Sequence, residues 1–141
     1  MSEELLKENA VKTIDELIAD LKAYHVGTRL DAALYLRLRS KEALKAVPAL
    51  IEALEDSDLG VRTKAAEALM EIDETAAVDA LIKILQSNDP NKRYSALFSL
   101  GQIGEKAIPA LNALTTALAM ETEIDLREYL EDIINDLVNR R

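Results

Sequence analysis

Arg29, Arg62, Arg93 and Arg127 recur along the chain, and four residues before them stand His25, Asp58, Asp89 and Glu123. Arginine and carboxylate at such spacing can hold a ligand, or they can bond one another and fix neighbouring segments through the arginine fork. Regular repetition favours the second use, a stacking device that recurs because the structure recurs. The acid also suits a helix start, where it accepts backbone N–H bonds and complements the helix dipole. His25 is the only histidine. A general base needs an oriented partner and a pocket, and His25 simply fills a turn position that is acidic in the other copies. Glu67 and Glu71 lie one helical turn apart, a common pattern on a solvated face and no ground by itself for an oxygen-ligated metal. Gly101-Gln102-Ile103-Gly104 reads as a helix exit, where glycine takes a left-handed backbone, and not as a phosphate loop. With no cysteine, disulfides and thiolate-held metals are excluded. The residues therefore predict no catalytic group, no metal and no cofactor, and hence no enzyme.

The elements that carry these residues are legible from apolar spacing. Val47, Leu50, Ile51 and Leu54 follow the i, i+3, i+4, i+7 pattern of one helical face. The pattern recurs as Ile14, Leu17, Ile18, Leu21, as Val78, Leu81, Ile82, Leu85, and more weakly as Ile108, Leu111, Asn112, Thr115. A polar break follows each stripe, and a second pattern then starts at each arginine: Ala32, Ala33, Leu36; Ala65, Ala66, Leu69; Ala96, Leu97, Leu100; Leu130, Ile134. Small residues there let helices approach closely. Each repeat predicts two antiparallel helices, and a single pair cannot bury its apolar faces alone. The predicted organisation is one domain over residues 1–141, with repeat units at about 1–40, 41–73, 74–104 and 105–141. Residues 3–23 are predicted as one long helix capped by Ser2, and the last helix as about 125–138.

Composition agrees. Apolar residues make up 49% of 141, aromatics 4%, and Gly and Pro number only 4 and 3, which suits packed helices better than a many-turned sandwich. The net charge of −9 argues against a phosphate-binding face. The acidic start Met-Ser-Glu-Glu and the lack of a long apolar run predict no targeting or membrane segment and a cytoplasmic location. Charge is uneven. Residues 29–45 hold five cations and two acids, whereas 125–137 hold five acids and one arginine.

"AVPALIEALEDSDLGVRTKAAEAL" and "LGQIGEKAIPALNAL" resemble HEAT repeats, in the short subtype named after phycobilisome lyases. The matching residues are Pro48 and Pro109 early in the first helices, Asp58 with Val61-Arg62 at a second helix, and the exit Leu100, Gly101, Ile103, Gly104. His25, Asn112, Thr115 and the long fourth turn depart from that pattern. The resemblance implies an all-α fold, a right-handed α-α superhelix (α-solenoid) of about four HEAT-like helical hairpins, with the second helices lining a concave face. Positions one, two, five and nine after each arginine would be exposed there. Of these, Lys64, Glu67, Glu71, Tyr94, Phe98, Gln102, Glu128 and Asp132 are predicted to bind a partner, with Tyr94 and Phe98 as aromatic anchors among polar groups. Phe98 can equally tuck between repeats as core. Leu30, Leu34 and Leu38 form a similar row that the first helix would cover.

The functional reading is a non-catalytic protein-interaction scaffold that takes a helix or extended segment, possibly basic, on its concave face, as a monomer or weak homodimer without nucleic-acid or membrane partners. The alternative implied by the subtype is a bilin lyase subunit or chromophore-handling chaperone. A nucleic-acid enzyme of the HEAT-like glycosylase kind is disfavoured by charge.

Overall fold

Each apolar stripe becomes a helix, and the polar breaks become turns, in the computed structural model, which describes residues 12–140. Helix α1 (Ile14–Asp20) starts at a reciprocal capping box. The Glu16 amide donates to Thr13 Oγ1 at 3.1 Å, and the Thr13 amide donates to Glu16 Oε1 at 3.1 Å. Thr13 is itself extended (φ −77°, ψ 162°), so the helix predicted to run unbroken over 3–23 is interrupted there. Capping supplies the reason: Thr13 leaves the helical region in order to satisfy the first orphan N–H groups. The proposed Ser2 cap lies outside the described residues.

Helix α2 (Val26–Arg39) follows the His25 turn. Ser40 then takes a positive φ of 52°, and a 3₁₀ turn (Ser40–Ala46) leads into α3 (Val47–Ala53), with Pro48 in its first turn. Helix α4 (Leu59–Ile72) is capped by Asp58, whose carboxylate accepts from the Val61 amide at 3.0 Å. Helices α5 (Glu74–Ile84) and α6 (Pro90–Ile103) come next, α6 capped by Asp89. Gly104 repeats the Ser40 conformation (φ 60°, ψ −129° against 52°, −131°) and opens a second 3₁₀ turn (Gly104–Ala110). Helices α7 (Leu111–Met120) and α8 (Ile124–Arg140) close the described chain.

The chain divides at Ala77–Val78 into two compact units. In the first, α2 packs on α4, α3 packs on α4 and α1 packs on α2. Leu17, Leu36, Leu50, Leu69 and Ile72 fill this core. In the second, α7 and α6 pack on α8 around Leu97, Leu100, Leu114, Leu130 and Leu137. Burying each such side chain contributes about 1.5–3 kcal/mol. The alanines at the arginine-led positions (Ala32, Ala33, Ala65, Ala66, Ala96) are all buried, as close helix approach requires.

The fourth stripe is out of phase with its prediction. Ala107, Ala110 and Leu114 are buried, whereas Asn112 and Thr115 are exposed and Ile108 and Leu111 half-buried. The buried face has rotated by about one residue, because the polar Asn112 and Thr115 cannot enter a core and the small alanines beside them can. The fold is an α-solenoid of HEAT-type helical hairpins.

Candidate functional site

The four arginines share one structural task. Each guanidinium donates to the main-chain carbonyl six residues before it: Arg29 to Ala23 at 2.9 Å, Arg62 to Asp56 at 2.7 Å, Arg93 to Ser87 at 2.8 Å and Arg127 to Glu121 at 2.9 Å. These carbonyls close the first helix of each hairpin, where intrahelical partners run out and a positive charge meets the negative end of the dipole. Two arginines also fork onto a carboxylate of the next hairpin. Arg29 reaches both oxygens of Asp56 at 2.9 and 3.2 Å, and Arg93 both oxygens of Glu121 at 2.8 and 3.0 Å.

Of the two uses expected for Asp58 and Asp89, they serve the helix starts and not the arginines. Asp58 and Asp89 are turned toward the helix starts that they cap, accepting from Val61 and Asn91. The acids that meet arginine lie six residues before the next arginine rather than four. Sequence spacing could have found them by testing each acid of the turn against both helix ends. Glu121 is 8% exposed. Burial pushes its carboxyl up, but the hydrogen bonds from Arg93 and from the Glu123 and Thr122 amides outweigh burial and hold it below the ordinary range. This lattice is structural: its groups are spent on one another.

The eight predicted partner-binding residues divide between the units. In the first, Lys64 and Glu71 are exposed and Glu67 half-buried on α4. Glu67 pairs with Lys64 at 3.4 Å on its own helix and with Arg37 of α2 at 3.5 Å. Glu71 accepts from Ser40 Oγ at 3.2 Å. In the second unit, Tyr94, Gln102, Glu128 and Asp132 are exposed and Phe98 half-buried. Tyr94 meets Tyr129 of α8 edge to face, with ring centroids 5.6 Å apart, a pairing that the sequence did not single out. Burial and the neighbouring Tyr94 raise the Tyr129 hydroxyl above its usual pKa. Leu30, Leu34 and Leu38 are half-buried.

Two clefts open in the second unit. One, of about 300 Å³, lies between α6 and α8 and is lined by Gly101, Gln102, Gly104, Tyr129, Asp132 and Asp136 over a floor of Leu100 and Leu137. The other, of about 640 Å³, is lined by Leu85, Arg93, Ala113, Ala117, Met120 and Glu121 among others. Met120 is 77% exposed at its edge. Among the described residues no helix is long and apolar enough to cross a membrane, and no three histidine or acidic side chains cluster as a metal set.

Comparison with known proteins is consistent along the chain. A family model described as HEAT repeats matches residues 14–89, and one described as a PBS lyase HEAT-like repeat matches 92–116. A phycocyanobilin lyase subunit alpha from Picosynechococcus sp. is 39% identical over 111 residues, which is 72% of this chain and 41% of that protein. The subunit of the same name from Microchaete diplosiphon is 38% identical over 84 residues, 55% of this chain and 29% of that protein. The chain thus spans less than half the length of the curated relatives it matches. The crystal structure of an engineered protein from the Northeast Structural Genomics Consortium aligns with a TM-score of 0.52 at 22% identity, over 89% of this chain and 62% of that one; it supports the fold alone.

The expectation that this chain is no enzyme is overturned by these relatives, both of which carry lyase-subunit names. Absence of a recognisable catalytic constellation was a poor guide, because a subunit can contribute to a reaction without holding a triad or a metal of its own. With its first half matched by the one model and its later repeat by the other, the chain belongs to the HEAT-repeat family, in the PBS-lyase-like subtype.

Proposed function

We propose that this chain is a HEAT module of the phycobilin-lyase type, which handles a linear tetrapyrrole such as phycocyanobilin together with a partner protein. The observation that carries this reading is the 39% identity over 111 residues to a phycocyanobilin lyase subunit. The identity extends over most of the chain rather than over one repeat, which chance likeness between HEAT proteins does not readily give. The 640 Å³ cleft beside Met120 adds support, since it falls within the roughly 300–1,000 Å³ range of sites for small organic ligands.

The partner side of the reading rests on the second helices. Solenoids present such helices in series to bind extended segments. Here Lys64, Glu67 and Glu71 offer charge on α4, and Tyr94, Phe98, Gln102, Glu128 and Asp132 offer aromatic, amide and acidic groups on α6 and α8. The test is a titration of phycocyanobilin with the full chain, followed by visible absorbance. A saturable spectral change is expected. A spectrum that matches bilin mixed with an unrelated acidic helical protein at every ratio would remove the reading.

A further inference from the structure

The repeat carries its own control for the smaller cleft of the second unit. In the first unit Arg37, eight residues after Arg29, reaches Glu67, five residues after Arg62, at 3.5 Å. Ser40, eleven after Arg29, donates to Glu71, nine after Arg62, at 3.2 Å. The same offsets in the second unit fall on Gly101 and Asp132, and on Gly104 and Asp136. The backbone confirms the correspondence, because Ser40 and Gly104 share one unusual conformation, φ near +55° with ψ near −130°.

Both acids are thus kept in the second unit, while both side chains that answer them in the first unit are reduced to glycine. What remains is the 300 Å³ cleft, lined by Gly101, Gly104, Asp132 and Asp136 with the ring of Tyr129 as a wall. A Cβ on Gly101 would stand in ordinary contact with the Tyr129 hydroxyl at 3.6 Å and with Ile133 at 3.7 Å, so Tyr129 stands directly across from the helix surface at Gly101. Arg140 answers Asp136 at 2.9 Å and lies over Gly104, its nearest atom 3.6 Å from where a Cβ would stand. Among the described residues Asp132 has no such partner.

We propose that this cleft takes an arginine side chain from the partner protein, in the place that Arg37 fills within the chain. The inference rests on the partner-binding part of the function proposed above and names what that surface recognises. The chemistry is complementary at each point. Asp132 supplies a carboxylate for the guanidinium fork and Tyr129 a ring for cation–π stacking and for contact with the methylene stem. The helix around it, 124–140, carries five acids against two arginines, so approach of a basic segment is electrostatically favoured.

The test uses the full chain labelled with ¹⁵N and a short peptide, acetyl-Ser-Gly-Arg-Gly-Ser-amide, at millimolar concentration. The same peptide with citrulline in place of arginine is the neutral isostere. Amide shifts at Gly101, Gln102 and Asp132 are expected with the arginine peptide alone. They are expected to vanish in Asp132→Asn and in Gly101→Arg, which restores the in-chain pairing of the first unit. Gly101→Arg also removes a mid-helix glycine and is expected to melt no earlier than the wild type. Equal shifts with citrulline, no shifts with arginine, or a response that survives Asp132→Asn would overturn the inference. Bilin binding is read separately. An absent arginine response beside intact bilin binding removes the inference alone, and the converse removes the lyase reading alone.

Discussion

At the scale of single residues, the chain spends its strongest charges on itself. Glu121 and Arg93 are both largely buried, with side chains 4% and 16% exposed, whereas Lys64 and Glu67 stand 45% and 40% exposed. Removing one member of a buried pair strands the other, and that costs far more than an exposed pair contributes. Arg93→Ala is therefore expected to lower unfolding free energy by about 3 kcal/mol in urea melts, and Lys64→Ala by less than about 1 kcal/mol. Equal losses would contradict the assignment. The sign with pH follows from the lowered Glu121 carboxyl. Its contribution is complete above its unfolded value of 4.5 and is lost as pH falls through the lower folded value. Glu121→Gln should flatten the acid limb of stability below about pH 4.5. Tyr129 has the opposite sense. Its raised hydroxyl should ionise above the ordinary tyrosine value in an alkaline absorbance titration, and stability should fall above that value as the unfolded chain sheds the proton more readily. Tyr129→Phe should remove the late-ionising component.

At the scale of elements, caps decided where helices begin. Thr13, Asp58 and Asp89 each accept from a first-turn amide, and replacing any of them by alanine is expected to cost about 1 kcal/mol in thermal or urea melts. A loss within error for Asp58→Ala would show that its cap bond is idle. Much of this level was legible in the sequence. The stripes at 14, 47 and 78 and the buried alanines after each arginine depend on helical periodicity, which a single strand of sequence carries in full. Three features were not. The start at Thr13 was overlooked because apolar spacing runs smoothly through it, while the capping box that begins α1 there is polar. The fourth stripe shifted because two candidate faces one residue apart were both partly apolar, and only packing against α8 chooses between them. The arginine partners stayed open because Asp56 and Asp58 sit two residues apart, and only the fold shows which caps a helix and which faces the previous arginine.

At the scale of the whole molecule, the repeat explains both sameness and difference. One hairpin pattern recurs, so deviations stand out, and the glycines at 101 and 104, which line a cleft, are deviations where the first unit has Arg37 and Ser40. The family membership was readable from Pro48, the Val61-Arg62 pair and the Leu100–Gly104 exit. The lyase connection entered only as the alternative that the subtype resemblance implied, because no triad, metal set or phosphate loop announces it; likeness to named subunits over most of the chain backs that alternative. Its consequence is specific. If the chain handles a bilin, the pigment must be held in one conformation by a chiral protein site. The free pigment measured alone supplies the baseline. The decisive measurement is the visible circular dichroism of phycocyanobilin as the full chain is added. The account predicts an induced band that grows and saturates at a fixed ratio of pigment to protein. A signal that stays at the level of the free pigment, with the protein folded throughout, would contradict it.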